Sequence, residues 1–225
     1  MDGQQQNVVT DKYGNKYSPD GRTLIKGANI PNNYVSAGCE VIGPGAFEEA
    51  DRLASIFLPD SLTEISKFAF YGCRSLEHIH LPDKLSTIGY CAFFDSRLRS
   101  ICLPESLVSV GEEAFGYCCF LDRFSGKFAS DDGRFLVQHE ILMSFAPYGK
   151  IKIQVPDDVV TIVTRAFSCC HELETVIVPD SVVAIGSRAF NLCRNLQTII
   201  IPESLKWIAK DAFYECSPYL RIVKR

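Results

Sequence analysis

The dipeptide Ala-Phe returns seven times in this chain, at Ala46-Phe47, Ala69-Phe70, Ala92-Phe93, Ala114-Phe115, Ala166-Phe167, Ala189-Phe190 and Ala212-Phe213. Successive spacings are 23, 23, 22, 52, 23 and 23 residues, so the long gap holds one unit plus an insertion of about 30. Such a period marks a stacked-repeat architecture, in which one unit cannot bury its apolar side alone. Other columns keep the same frame. Eleven residues before Phe stands proline in six copies (Pro59, Pro82, Pro104, Pro156, Pro179 and Pro202). Five residues before it comes Ile42, Ile65, Ile88, Val110, Ile162, Ile185 or Ile208.

One unit reads Leu-x-x-Ile-x-Leu-Pro, then Asp-Ser-Leu-x-x-Ile-Gly, then x-x-Ala-Phe-x-x-Cys. The first segment, Leu76 to Leu81 for example, alternates near its end and reads as a strand. Proline closes it because it has no N–H for a ladder. The second, such as Leu62 to Ile65, is a short extended piece. In the third, the spacings of Ala, Phe and Cys suit one or two helical turns. The expected fold is a β-rich α/β solenoid of seven units of about 23 residues. Its coils should stack at roughly 4.8 Å per strand, with all seven phenylalanines in one buried column.

The pattern resembles the BspA-type leucine-rich repeat, a family found in surface proteins of bacteria and some protists. The resemblance rests on the repeated Ala-Phe-x-x-Cys and Ile/Leu-Pro-x-Ser-Leu/Val motifs and covers about residues 30–225. It implies a right-handed leucine-rich repeat solenoid used for adhesion or protein recognition, at the cell surface or secreted. It carries over no catalytic residues.

Residues 125–154 break the period and contain Ser130-Asp131-Asp132-Gly133-Arg134-Phe135-Leu136. Asp-Gly between extended apolar segments signals a hairpin, with strands expected at about 127–130, 134–138 and 141–145. A related phrase, Ser18-Pro19-Asp20-Gly21-Arg22-Thr23-Leu24, occurs near the start. Residues 1–29 are therefore expected to form a β-meander cap on a solenoid of residues 30–225, as one folded unit. About five extra residues between Pro31 and Ile42 read as a surface loop. At the far end, Ile222-Val223-Lys224-Arg225 begins a strand where an eighth unit would start. Lys224 on an edge suits a native end, and truncation is the alternative.

The net charge is −4 over 225 residues, and no run of five like charges occurs. Nothing therefore suits nucleic acid or an anionic membrane. No apolar stretch approaches the roughly 18 residues that span a bilayer, so no membrane insertion is expected. Met1 to Gln6 is polar and is not a signal peptide. Either the protein stays in the cytosol or this stretch replaces an export signal that was removed.

Ten cysteines raise the question of disulfides or metal. Three residues after Phe come Ala50, Cys73, Ser96, Cys118, Cys170, Cys193 and Cys216, the small side chains that a stacked interior column needs. Parallel side chains in such a column are poorly placed for disulfides. No Cys-x-x-Cys occurs, and the adjacent pairs Cys118-Cys119 and Cys169-Cys170 do not fit zinc motifs. These thiols are expected to be free and buried, with no metal and no cofactor.

The outward strand positions are the candidate site. Two residues before the proline position run Phe57, His80, Cys102, Ser125, Gln154, Ile177, Ile200 and Val223; four before it run Ser55, His78, Ser100, Arg123, Lys152, Thr175, Thr198 and Arg221. Ile177, Ile200 and Val223 make an apolar stripe on a face that should be wet, which marks an interaction surface unless the inserted hairpin covers it. Trp207 takes an outward slot of the second segment, as a binding anchor or as a local cap. Cys102 beside His80, with His78 and Ser100, has the makings of a thiolate–imidazole pair or a zinc site. An open sheet excludes little water, however, so a solvated face is the default. The expected function is non-enzymatic binding of a protein, through Phe57, His78, His80, Cys102, Arg123, Lys152, Ile177, Ile200, Trp207 and Arg221. A cytosolic scaffold or effector using the same face is the alternative.

Overall fold

A computed structural model describes residues 8–225, so the polar stretch Met1 to Gln6 and the first residues of the expected cap lie outside it. The chain winds as a β-solenoid of about eight turns, each with two short extended walls and a looped third wall. In the first wall, Asn32–Tyr34 pairs with Ser55–Phe57, and Ser100–Leu103 with Arg123–Gly126. Lys152–Gln154, Thr175–Ile177, Thr198–Ile201 and Arg221–Lys224 form a third parallel group. Equivalent residues of successive units face each other throughout. Proline then turns the corner, its carbonyl accepting the amide three residues on, as in Leu62 N to Pro59 O at 3.0 Å. The segment from Leu76 to Leu81, expected as a strand, forms none. A single backbone bond, Arg99 N to Glu77 O at 3.1 Å, holds it to the next coil, together with the ion pairs of the Glu77 carboxylate with Arg97 and Arg99.

The second wall carries the aliphatic column. Val41–Ile42, Glu64–Ile65, Thr87–Ile88 and Ser109–Val110 pair in parallel, and so do Thr161–Ile162, Ala184–Ile185 and Trp207–Ile208. Glycine after the aliphatic residue lets coils approach closely. A Cβ on Gly89 or Gly111 would lie 2.5 Å from the backbone nitrogen of Lys67 or Tyr90.

The third wall corrects the expected α/β class: no helix forms among the described residues. In every unit but the last, where only Glu215 does so, the residues two before and two after Phe adopt left-handed φ, for example Cys91 at 50° and Asp95 at 56° around Phe93, or Arg165 at 55° and Cys169 at 62° around Phe167. No helix continues through such positions. The amide of Phe instead donates across to the next coil. Phe47 N reaches Ala69 O at 2.8 Å, Phe70 N reaches Ala92 O at 2.7 Å, and Phe190 N reaches Ala212 O at 2.9 Å. The donors that a helix would keep to itself join neighbouring units.

The phenylalanines are buried as expected, with Phe93 and Phe190 fully inaccessible and only the terminal Phe213 half-buried. They do not form one column. Phe47, Phe70, Phe93 and Phe115 stack with centroids 5.1 to 5.5 Å apart, and Phe145, Phe167, Phe190 and Phe213 make a second stack at 4.7 to 5.4 Å. Phe115 ends its run edge-on against Phe124.

The insertion causes the break. Phe135–Gln138 and Ile141–Phe145 form the hairpin, whereas residues 127–130 contribute only the bridge from Ala129 to Leu136. Ile141 and Leu142 pair with Thr161 and Ile162, and Phe145 N donates to Ala166 O at 3.0 Å. The hairpin thereby enters the solenoid as a coil. Its opening turn matches that of the N-terminal meander, formed by Val9–Thr10, Lys16–Tyr17 and Thr23–Lys26. Asp20 accepts from Ser18 and Arg22 N; Asp132 accepts from Ser130 and Arg134 N.

Among the described residues no backbone bond joins the Phe115 turn to the Phe167 turn. Side chains cross this seam instead. Buried Glu113 takes Arg165 Nη1 at 2.5 Å, and Asn191 hydrogen-bonds the Tyr117 hydroxyl.

Truncating a ring inside a stack removes both transfer energy and packing. Phe190→Ala should cost about 3–5 kcal/mol in chemical denaturation. A loss under about 1 kcal/mol would contradict the core assignment.

Candidate interaction surface

The outward columns are in register. Tyr34 faces Phe57, Ser125 faces Cys102, and Gln154, Ile177, Ile200 and Val223 follow one another across the four-stranded group. Beside them run Lys152, Thr175, Thr198 and Arg221. Ile177 and Ile200 are half-buried, because each is flanked by the next member of its column, while Val223 is exposed. The inward alternates Val176 and Ile199 are fully buried, which fixes the inside and outside of this wall.

At the other end Phe57 is 56% exposed, and it does not stand alone. Tyr34 stacks on it at 4.5 Å with rings nearly parallel, and Tyr13 stacks on Tyr34 at 5.1 Å. Tyr13 and Tyr34 were not legible in the sequence because they precede the first complete repeat. The pairing of Asn32–Tyr34 with Ser55–Phe57 brings them in.

The remaining expected residues are placed as follows. His78, His80, Cys102, Arg123, Lys152 and Arg221 are all exposed. Leu76 to Leu81 forms no strand, so no ladder pairs His80 with Cys102. They do not converge with His78 as a ligand set. Trp207 is 55% exposed but belongs to the second wall, paired with Ala184, and so lies on a different sheet from Ile200.

All ten cysteines are free. In the interior column four of the five thiols donate to the phenylalanine carbonyl of the preceding unit, Cys73 to Phe47 O at 3.1 Å, Cys118 to Phe93 O at 3.2 Å, Cys193 to Phe167 O at 3.1 Å and Cys216 to Phe190 O at 2.9 Å, while Cys170 gives to Ser168 O at 3.8 Å. Burial pushes the Cys73 and Cys118 thiols up to about 12. The adjacent pairs behave differently from the sequence expectation. One cysteine of each, Cys119 and Cys169, converges with His171, with one ligand atom of each residue within 4.8 Å of the others.

The BspA-type leucine-rich repeat region matches residues 26–128 and 144–223, in six copies. The chain belongs to the BspA-type leucine-rich repeat family. The unmatched stretch falls on the inserted hairpin. Members of this family are generally protein-interaction or surface proteins. The fold is similar to a leucine-rich cell surface protein of Faecalibacterium prausnitzii, with 18% identity and a TM-score of 0.50 over 96% of this chain and 94% of that one. It is also similar to a leucine-rich repeat protein of Eubacterium ventriosum, with 18% identity and a TM-score of 0.68 over 87% of this chain and 60% of that one. A leucine-rich repeat protein of Bacteroides ovatus gives 22% identity and a TM-score of 0.50, covering 96% and 81%. No curated protein matches. Among the described residues no helix is long and apolar enough to cross a membrane.

The buried thiols of this BspA-type solenoid give its stability an alkaline limit. The Cys73 thiol has its ordinary value of 9.0 when unfolded, and burial pushes it up to about 12 in the fold, as it does Cys118. Between those values the unfolded chain binds fewer protons, so stability falls as pH rises from 9 toward 12 and is unaffected by these groups below that window. Urea melts at about pH 8 and about pH 10.5 should show the drop, and Cys73→Ala should make it smaller. An unchanged pH slope in Cys73→Ala would contradict the assignment.

Proposed function

We propose that this chain is a non-enzymatic protein-recognition module, adhesion-like in use, that docks a partner on its first wall. The observation that carries this reading is the registered apolar column Ile177, Ile200 and Val223 flanked by Lys152, Thr175, Thr198 and Arg221. A stacked solenoid holds these side chains at fixed spacing, so docking orders little that is not ordered already. Interfaces draw most of their energy from a few apolar or aromatic anchors ringed by polar groups. On this reading Ile177, Ile200 and Phe57 are anchors and Arg123, Lys152 and Arg221 the rim, with His78, His80 and Cys102 between the two apolar ends. Trp207, on the second wall, serves a separate contact. Residues 1–29 act as the cap and 30–225 as the recognition solenoid.

The free thiols favour a second reading. Ten unpaired cysteines suit a reducing compartment, where the same face would serve an intracellular scaffold or effector.

Retention on immobilised extracellular-matrix proteins, in parallel with capture from a reduced cell lysate, separates the two. Ile200→Glu should abolish retention on whichever partner holds the wild type, with the circular dichroism spectrum and melting unchanged. Glu112→Lys, on the exposed turn wall, should be neutral. A folded Ile200→Glu protein that still binds would move the site to another surface. One that fails to fold would mean the stripe is needed for packing.

A further inference from the structure

The seam between the Phe115 and Phe167 turns is where the backbone bonds between coils fail, and it is where Cys119, Cys169 and His171 meet. Two sulfurs and a ring nitrogen lie within 4.8 Å of one another. Ligands around tetrahedral zinc sit about 3.5–3.8 Å apart, so closing on an ion needs side-chain shifts of about 1 Å at most. We propose that Cys119, Cys169 and His171 form a site for a thiophilic divalent cation, zinc by its ligand chemistry, which staples the two halves of the solenoid across the insertion.

Three observations support this. The first is position. The residue four after Phe is Asp51, Arg74, Arg97, Arg194 or Ser217 in other units, but Cys119 and His171 on the two sides of the seam. Only there does the residue two after Phe become cysteine, at Cys169. Soft ligands therefore replace the usual charged or small residues only where the coil-to-coil ladder is missing. The second is the state of the imidazole. Nδ1 of His171 lies 3.1 Å from Leu192 O, which can only accept, so Nδ1 is the donor there and Nε2 is the nitrogen left for an ion. A carbonyl partner of this kind orients a metal-binding histidine. The third is access. Cys169 is buried and Cys119 half-buried, and Cys119 also lines an open cavity of about 200 Å³ with Arg74, Asp95, Tyr117 and Phe120. A water reaching the site from that side supplies the fourth ligand, as in three-residue zinc sites.

Binding displaces the two thiol protons, one of which Cys119 now donates to Tyr117 O at 3.3 Å, so affinity rises with pH. Because the ligands come from both sides of the seam, the metal binds the folded chain in preference to the unfolded one and raises its stability.

The full chain, reduced with a phosphine and stripped of metal, is titrated with cobalt(II), then with zinc(II). A thiolate-to-cobalt charge-transfer band in the near ultraviolet and tetrahedral d–d bands in the visible should saturate at one ion per chain, and zinc should erase them. The bands should vanish in Cys119→Ser/Cys169→Ser, weaken in His171→Ala and persist in Cys102→Ser. Zinc should raise the melting temperature of the wild type but not of the double variant. It should also protect Cys119 and Cys169 of the wild type from alkylation, as peptide mapping reads directly even if a variant folds poorly. A reduced wild type that stays cobalt-silent, bands that survive the double substitution, or thiols alkylated equally with and without zinc would each overturn the site. Conversion of the two thiols to a disulfide that no reductant reopens would overturn it as well.

Discussion

In five of the seven units the amide of the repeated phenylalanine, as in Phe70 N to Ala92 O at 2.7 Å, leaves its own coil to bond with the next. That bond needs a backbone reversed on both sides of the ring, and the left-handed residues two before and two after Phe supply it. Such conformations cost about 1–2 kcal/mol each for residues other than glycine. The pairing of coils and the burial of the ring between two neighbours offset that cost. Every other column then inherits its spacing: ring on ring, aliphatic on aliphatic, thiol on the preceding phenylalanine carbonyl. The molecule therefore behaves as a chain of nearest-neighbour contacts, with each unit stable because the next one is present.

A structure built on that single bond is weakest where the bond is missing. The insertion gives Phe145 the acceptor that Phe115 would have used, so the rings divide into two stacks and the buried residues into two clusters. Side chains replace the backbone there. The Glu113–Arg165 pair is one, the Tyr117–Asn191 hydrogen bond another, and Gln138 a third. Its carboxamide takes Val110 N at 3.0 Å and gives to Val108 O at 3.3 Å, as a further strand would. The cysteine–histidine cluster at the same seam belongs to this set of replacements.

Much of this was legible in the sequence. The columns of Phe, Pro and Ile fix the register to the residue, because a one-residue error would turn Val176 outward and Ile177 inward. The two Asp-Gly turns are readable from their own side chains. The looped third wall was not, since Ala, Phe and Cys at these spacings fit a helix equally well, and what excludes one is a bond to a coil 22 or 23 residues away. The division of the phenylalanines was hidden for the same reason: Phe145 stands outside the repeat yet takes a place in the column. On the surface, the Ile177 to Val223 stripe was readable from periodicity, whereas Tyr13 and Tyr34 were not. The convergence of Cys119 with Cys169 depends on how far the inserted hairpin is looped out, which no local spacing reveals.

Native-state hydrogen exchange tests the coil-to-coil bond most directly, one amide at a time. Amides of Phe70, Phe93 and Phe190 should exchange only through global unfolding, because each is buried and bonded to the next unit. Amides of Phe115 and Tyr117, which lack a backbone partner across the seam, should exchange much faster through local opening. Equal protection on both sides of the insertion, or rapid exchange at Phe93, would contradict the account.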